Sequence, residues 1–203
     1  MKKYGSTVGP WQVTSSSDVY DNPWISVTDH QVIHPDGSPG QYGVVHFKSR
    51  GVGVLPLNEA GEVYMVGQHR FPLDTYSWEV PEGGCPVSES PFETAKRELA
   101  EETGLTATNW LPLFENISVS NSVSDERGWG FLAWGLELGT SMPEPSEELV
   151  VETWPFQTLL QRVLSGEVHD GITHIIVLTA LAKAQRGDLP ADVSQLILGH
   201  PTG

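Results

Sequence analysis

Residues 83–105 read GGCPVSESPFETAKRELAEETGL. Five glutamates fall in this short stretch: Glu89, Glu93, Glu98, Glu101 and Glu102. The chain around it is already acidic, with 26 Asp and Glu against 11 Lys and Arg and a formal net charge of −15. Further carboxylates crowded onto one segment therefore need a physical reason.

Ser90-Pro91-Phe92-Glu93 has the form of a capping box with proline at the first helical position. Gly104 is a suitable stop one residue past the last turn. The spacing predicts a helix over about 91–103. On such a helix Glu98, Glu101 and Glu102 fall within an arc of roughly 100°. Phe92, Ala95 and Leu99 occupy the neighbouring arc and would anchor the helix to a sheet. Carboxylates on one face repel by a few tenths of a kcal/mol per pair. Partial burial worsens this unless a cation sits among them. Hard oxygen donors at this spacing suit Mg²⁺ or Mn²⁺. The alternative is a solvated glutamate-rich face. Two features weigh against it. Gly83-Gly84 precedes the helix and allows close approach of backbone to a ligand. Arg97 sits beside the cluster, where it can pair with Glu89 or Glu93.

The stretch resembles the Nudix box, Gly-x5-Glu-x7-Arg-Glu-U-x-Glu-Glu-x-Gly-U, with U a bulky aliphatic residue. Gly83, Glu89, Arg97, Glu98, Leu99, Glu101, Glu102, Gly104 and Leu105 supply every specified position. The resemblance implies an α/β fold, the Nudix α/β/α sandwich with a mixed β-sheet. It also implies hydrolysis of a nucleoside diphosphate linked to another group, by water attack on phosphorus. A divalent cation in such a site neutralises developing phosphoryl charge and lowers the pKa of bound water. By the same resemblance Glu98 and Glu102 are the primary metal ligands, Glu101 shares the site, and the backbone carbonyl of Glu82 is a further ligand. Arg97 and Glu89 are expected to orient these groups.

The flanks resemble the branch containing ADP-ribose pyrophosphatases and nucleotide-sugar hydrolases, over roughly residues 20–185. GQHRFP (67–72) and WEVPEGG (78–84) carry the likeness. It implies that Arg70 touches substrate phosphates and that Glu79 touches substrate or supporting groups. The base in this branch is a glutamate on a loop before a strand ending at proline. Counting back from Trp154-Pro155 gives Glu147, with Glu144 and Glu148 as neighbours. The 120–126 loop carries Asn121 where ADP-ribose enzymes have a proline, which leaves the sugar open. Glu126 in that loop resembles an acidic residue facing metal or substrate; an exposed turn is the alternative. Trp11 and Trp24 are candidates for stacking an adenine, or for packing a small sheet.

Outward from the box the chain reads mostly as strands. Within residues 11–36, Trp24, Ile25 and Val27 followed by Val32 and Ile33 read as two strands, with Pro35-Asp36-Gly37 as a turn. Strands are expected over 42–49, 51–57, 62–70, 77–81, 110–120, 128–138 and 149–156, with a glycine-rich loop after Pro81. Residues 157–167 and 172–186 read as helices, and 140–148 as a Pro/Glu-rich loop. The expected organisation is an N-terminal β-subdomain over 1–45 that mediates dimerisation, a hydrolase domain over 46–187, and a loosely attached tail over 188–203.

Composition bounds the rest. The 203 residues include seven Trp and six Phe, enough for a sizeable core. Cys85 is the single cysteine, so no disulfide framework exists. No apolar run reaches membrane length, and Met1-Lys2-Lys3 is followed by no signal-like apolar stretch. A cytoplasmic protein is expected. The acidic balance argues against nucleic acid and membrane partners. The expected partners are a small nucleoside diphosphate substrate and a second copy of the chain. Three functions stay in view: hydrolysis of ADP-ribose or a related nucleoside diphosphate sugar, hydrolysis of another substrate such as NADH or a dinucleoside polyphosphate, and nucleotide-sugar sensing without turnover. The intact box and the lack of a basic DNA-binding segment weigh against the last.

Overall fold

A stretch of alternating short-range hairpin signals produces the first sheet. The structure is a computed structural model that describes residues 6–139 and 149–199. Strands β1 (Thr7–Val8), β2 (Trp11–Asp21), β3 (Ile25–Ile33) and β4 (Pro39–Phe47) pair antiparallel in sequence order. Side chains make the reversals. Asn22 Oδ1 accepts from the backbone N–H of Trp24 and Ile25 at 2.8 and 2.7 Å, which turns the chain between β2 and β3. Asp36 Oδ1 accepts from Ser38 N at 2.9 Å in the expected Pro35-Asp36-Gly37 turn, where Gly37 takes φ +87°.

The chain divides into two compact units. One contains these four strands, up to Arg50, together with Ser118–Arg127. Within that unit the 118–127 segment is held along β4. Val45 N donates to Val123 O at 2.8 Å, Tyr42 OH to Ser122 O at 2.6 Å, and Phe47 N to Asp125 Oδ1 at 3.0 Å.

The other unit, Gly51–Ile117 with Gly128 onward, is built on a seven-stranded mixed sheet. Its strands are β5 (Ser49–Leu57), β6 (Glu62–Arg70), β7 (Thr75–Glu79), β8 (Glu82–Pro86), β9 (Leu105–Ser118), β10 (Arg127–Leu138) and β11 (Val150–Pro155). The order is β11-β6-β5-β10-β9, with β7 on β6 and β8 on β5. β5 and β10 run parallel, Gly51 beside Gly128 through Leu57 beside Trp134.

Alternation along β5 decides which helix packs where, because successive side chains point to opposite faces. Val52 and Val54 point to one face and join Ala95 and Leu99 of α1 (Pro91–Thr103), with Phe131 and Ala133. Leu55 and Leu57 point to the other and join α2 (Phe156–Ser165), α3 (Gly171–Arg186) and α4 (Ala191–Leu198) through Leu159, Ile176 and Ile197. The result is the expected α/β/α sandwich.

Three expectations are corrected. The two strands expected around Trp24–Val27 and Val32–Ile33 are one, β3, because the residues between them pair with β4 on one side and with β2, which was not expected, on the other. The glycine-rich segment after Pro81 is not wholly a loop: Glu82–Pro86 pairs with β5 as β8. The stretch expected as a loose tail contains α4, whose Val193 and Ile197 are buried in the core. Gln157 Nε2 also donates to Ile197 O at 2.6 Å, tying α4 to α2.

Candidate active site

α1 forms where the sequence places it. Ser90 caps its start, Oγ accepting from Glu93 N at 3.2 Å, and Gly104 ends it at φ 70° with its N–H bonded to Ala100 O. The helix buries Thr94, Ala95 and Leu99 as an apolar face requires, but it also buries Glu98 and Glu102, which are 8% and 6% exposed. Burying carboxylates is costly unless they are paired.

The pairing converges on the first residues of β8. Glu102 Oε2 accepts from Glu82 N at 2.9 Å. The Glu98 carboxylate lies against the Cα of Gly83 so closely that any Cβ there would collide with it. That is why glycine stands at position 83. Arg97 supplies the positive charge. Its Nη1 lies 2.8 Å from Glu98 Oε1 and 2.7 Å from Glu101 Oε2, and its Nη2 donates to Gly84 O at 3.1 Å and reaches Glu89 Oε2 at 3.3 Å. Thr94 Oγ1 donates to the same Glu89 oxygen at 2.8 Å. The Thr94 hydroxyl first, and Arg97 second, hold the Glu89 pKa below its ordinary value. Burial works to lower the Arg97 pKa, but its bonds to Glu101 and Glu89 outweigh that and raise it.

A second group of carboxylates lies next to the first. Ligand oxygens of Glu79, Glu82 and Asp170 come within 4.8 Å of one another. Arg70 Nε donates to both oxygens of Glu79 at 2.9 and 3.0 Å, and Nη2 donates to Glu79 Oε2 and, at 3.3 Å, to Glu82 Oε1. The bond to Glu79 is the main reason the Arg70 pKa is raised. Nη1 of Arg70 makes no hydrogen bond among the described residues. Burial first, and then the charges of Asp170 and Glu79, push the Glu82 pKa well above its ordinary value. Glu82 Oε2 is buried with no hydrogen-bond partner among the described residues. An orphaned carboxylate oxygen and a set of donors that are all oxygens fit a hard divalent cation.

The structure thus brings Glu98, Glu101, Glu102, Arg97 and Glu89 together, and places Arg70 with Glu79 and Glu82. Glu126 and Trp24 belong to the other compact unit. Trp24 is 71% exposed at the β2–β3 reversal, and Trp11 packs against His34 and Tyr42 at ring-centroid distances of 4.7 and 5.6 Å. Glu147, with Glu144 and Glu148, lies outside the described residues. Sequence reasoning missed Asp170, Thr94 and the side chain of Glu82. Asp170 had one available signal, its place just before the expected 172–186 helix, where an N-cap belongs.

The NUDIX domain model matches residues 48–170. The chain belongs to the Nudix family. A second model, the nucleoside diphosphate sugar hydrolase N-terminal domain, matches residues 11–45 of this Nudix chain. Among relatives, the ADP-ribose pyrophosphatase of Mycobacterium tuberculosis is 32% identical over 196 residues, covering 95% of this chain and 93% of its own. The ADP-ribose pyrophosphatase of Bacillus subtilis is 31% identical over 161 residues, 78% and 86% of the two chains. The CMP-5'-(N-acetyl-N-hydroxy-3-aminopropyl)phosphonate hydrolase of Streptomyces rubellomurinus is 26% identical over 171 residues, 84% and 82%. The solved structure of an ADP compounds hydrolase shares the fold, with a TM-score of 0.76 at 16% identity, over 89% of this chain and 98% of that one. No helix among the described residues is long and apolar enough to cross a membrane.

Proposed function

We propose that this Nudix protein hydrolyses the pyrophosphate bond of ADP-ribose or a related nucleoside diphosphate sugar, giving a nucleoside monophosphate and a sugar phosphate, with Mg²⁺ or Mn²⁺ as cofactor. The observation that carries the chemistry is the burial of Glu98 and Glu102 of one helix against Glu82–Gly83. Likeness to two ADP-ribose pyrophosphatases over most of the chain supports the substrate class.

In this reading Glu98, Glu102, Glu101 and the Glu82 carbonyl hold the ion. When bound there it supplies positive charge to the pyrophosphate oxygens and acidifies water. The chain's own residues do the rest. Arg97 holds Glu98 and Glu101 on one side, and is itself held by Glu89 and the Gly84 carbonyl. Glu79 fixes the plane of Arg70, which leaves Nη1 to donate to a substrate phosphate oxygen. Glu147 is the proposed base, with Glu126 as a further substrate contact. The protein is proposed to be cytoplasmic and to pair as a homodimer through its N-terminal unit, where Trp24 stands exposed for an adenine or a partner. A monomer by light scattering would remove that pairing.

A second reading, another nucleoside diphosphate derivative such as NADH or a dinucleoside polyphosphate, is favoured by Asn121 in place of a proline. The Streptomyces relative, whose name records a CMP-linked substrate, supports the same latitude. A panel of ADP-ribose, ADP-glucose, GDP-mannose, NADH and diadenosine polyphosphates, each with and without Mg²⁺, separates these readings. ADP-ribose is expected to be cleaved fastest and only with the ion. Cleavage of none of them would favour a sensor.

A further inference from the structure

The NUDIX match ends at residue 170 and α3 begins at Gly171, yet the first turn of α3 reaches the site. Thr173 and Val80 are both fully buried. Thr173 Oγ1 accepts a hydrogen bond from Val80 N at 3.0 Å, across 93 residues of sequence. Asp170 caps the helix and holds Thr173 in turn, its Oδ2 accepting from Thr173 N at 2.6 Å. Val80 lies one residue past the end of β7, so the threonine hydroxyl stands where a strand neighbour would otherwise serve.

The two peptides that follow are pinned by other elements. Pro81 O accepts from Val54 N of β5 at 2.9 Å, and Glu82 N donates to Glu102 Oε2 of α1 at 2.9 Å. Three consecutive residues are therefore held by three different elements. Pro81 between them has a locked φ, which leaves fewer torsions to absorb a rotation at Val80 before it reaches Glu82. A buried N–H that loses its acceptor is penalised, and the peptide turns to find another.

We propose that Thr173 and Asp170 are positioning residues of this site: through Val80 and Pro81 they set the direction of the Glu82 carbonyl, and so the affinity for the divalent ion. The proposal rests on the reading that this carbonyl faces the ion. It assigns a role to Thr173, which follows the end of the box-bearing domain match and touches neither ion nor substrate, and to Asp170, the last residue of that match. Groups that orient metal ligands from behind typically matter by about 10–100-fold in affinity.

The test is Mn²⁺ binding to the intact chain without substrate, followed by the electron paramagnetic resonance of free Mn²⁺, with melting temperatures measured alongside. Thr173→Val keeps shape but removes the acceptor, and is expected to weaken Mn²⁺ about tenfold. Thr173→Ser keeps the hydroxyl and is expected to recover most of that loss. Asp170→Ala is expected to weaken binding less than Thr173→Val, and Glu102→Gln to abolish it. If Glu102→Gln binds as the unaltered chain does, the ion reading fails and the proposal with it. If Glu102→Gln loses the ion while Thr173→Val and Asp170→Ala bind normally, the positioning role alone is overturned. A serine variant as weak as the valine one also overturns it. Should Thr173→Val not fold, normal binding by Asp170→Ala decides against the proposal.

Discussion

Glu102→Gln is expected to lower turnover of ADP-ribose by on the order of a thousandfold while the protein stays folded. A metal-held charge stabilises a phosphoryl transition state by several kcal/mol, and each ~1.4 kcal/mol is tenfold in rate. The fold should survive because the hydrogen bond between Glu82 N and Glu102 does not need the carboxylate's charge. Glu82 N donates to Glu102 Oε2, and a glutamine carbonyl accepts from the same N–H. Removing a buried carboxylate also removes its desolvation penalty. The melting temperature should therefore be unchanged or higher. Near-normal turnover in a folded Glu102→Gln protein would remove Glu102 from the proposed chemistry.

Gly83→Ala is the second large effect, about a hundredfold loss of kcat from one added methyl group. Gly83 does not take a positive φ, so its backbone accepts alanine without strain. The new Cβ would collide with the carboxylate of Glu98. That carboxylate is the far end of a flexible side chain, so it swings aside and the fold is kept. Glu98 then no longer stands where it did, and a misplacement of about 1 Å in an active site costs on the order of a hundredfold. Kinetics and a melting curve on the same preparation check this. A fully active Gly83→Ala enzyme would show that the position of Glu98 does not matter, and a collapse in stability would show that the collision is relieved through the backbone.

What the residues disclosed in advance follows the range of the forces involved. The helix over 91–103 was legible because its cap, its proline, its stop and its apolar face are all local. So was the turn that carries Asp36, whereas β2 and the Asn22 turn were not read, because the polar run Thr14–Asp18 inside β2 carries little strand signal. The grouping of Glu98, Glu101, Glu102 and Arg97 was legible from helix geometry together with the family resemblance. β8 was not, because Gly83 and Gly84 read as loop when no neighbouring strand is known; pairing with β5 overrides their low strand propensity. α4 was missed because eight residues carry little periodic signal, and its stability comes from Val193 and Ile197 reaching a core assembled by distant strands. Asp170 was invisible as a site residue for a similar reason. Its meeting with Glu79 and Glu82 depends on the packing of α3 against the sheet, and nothing within its own neighbourhood encodes that.

The parallel pairing of β5 with β10 also fixes an order of assembly. The sheet in the N-terminal unit closes through neighbours in sequence and is complete when residue 47 has been made. The large sheet is different, since its central strand β5 finds one of its partners only after residue 134 has left the ribosome. Until then Val52, Val54, Leu55 and Leu57, all buried in the finished protein, lack one side of their shelter. Closing so long a loop before any contact rewards it slows folding. The nascent chain therefore carries β5 incompletely covered through the synthesis of α1 and β9, and its Leu55 and Leu57 face until α2, α3 and α4 follow, which leaves it open to aggregation over that interval.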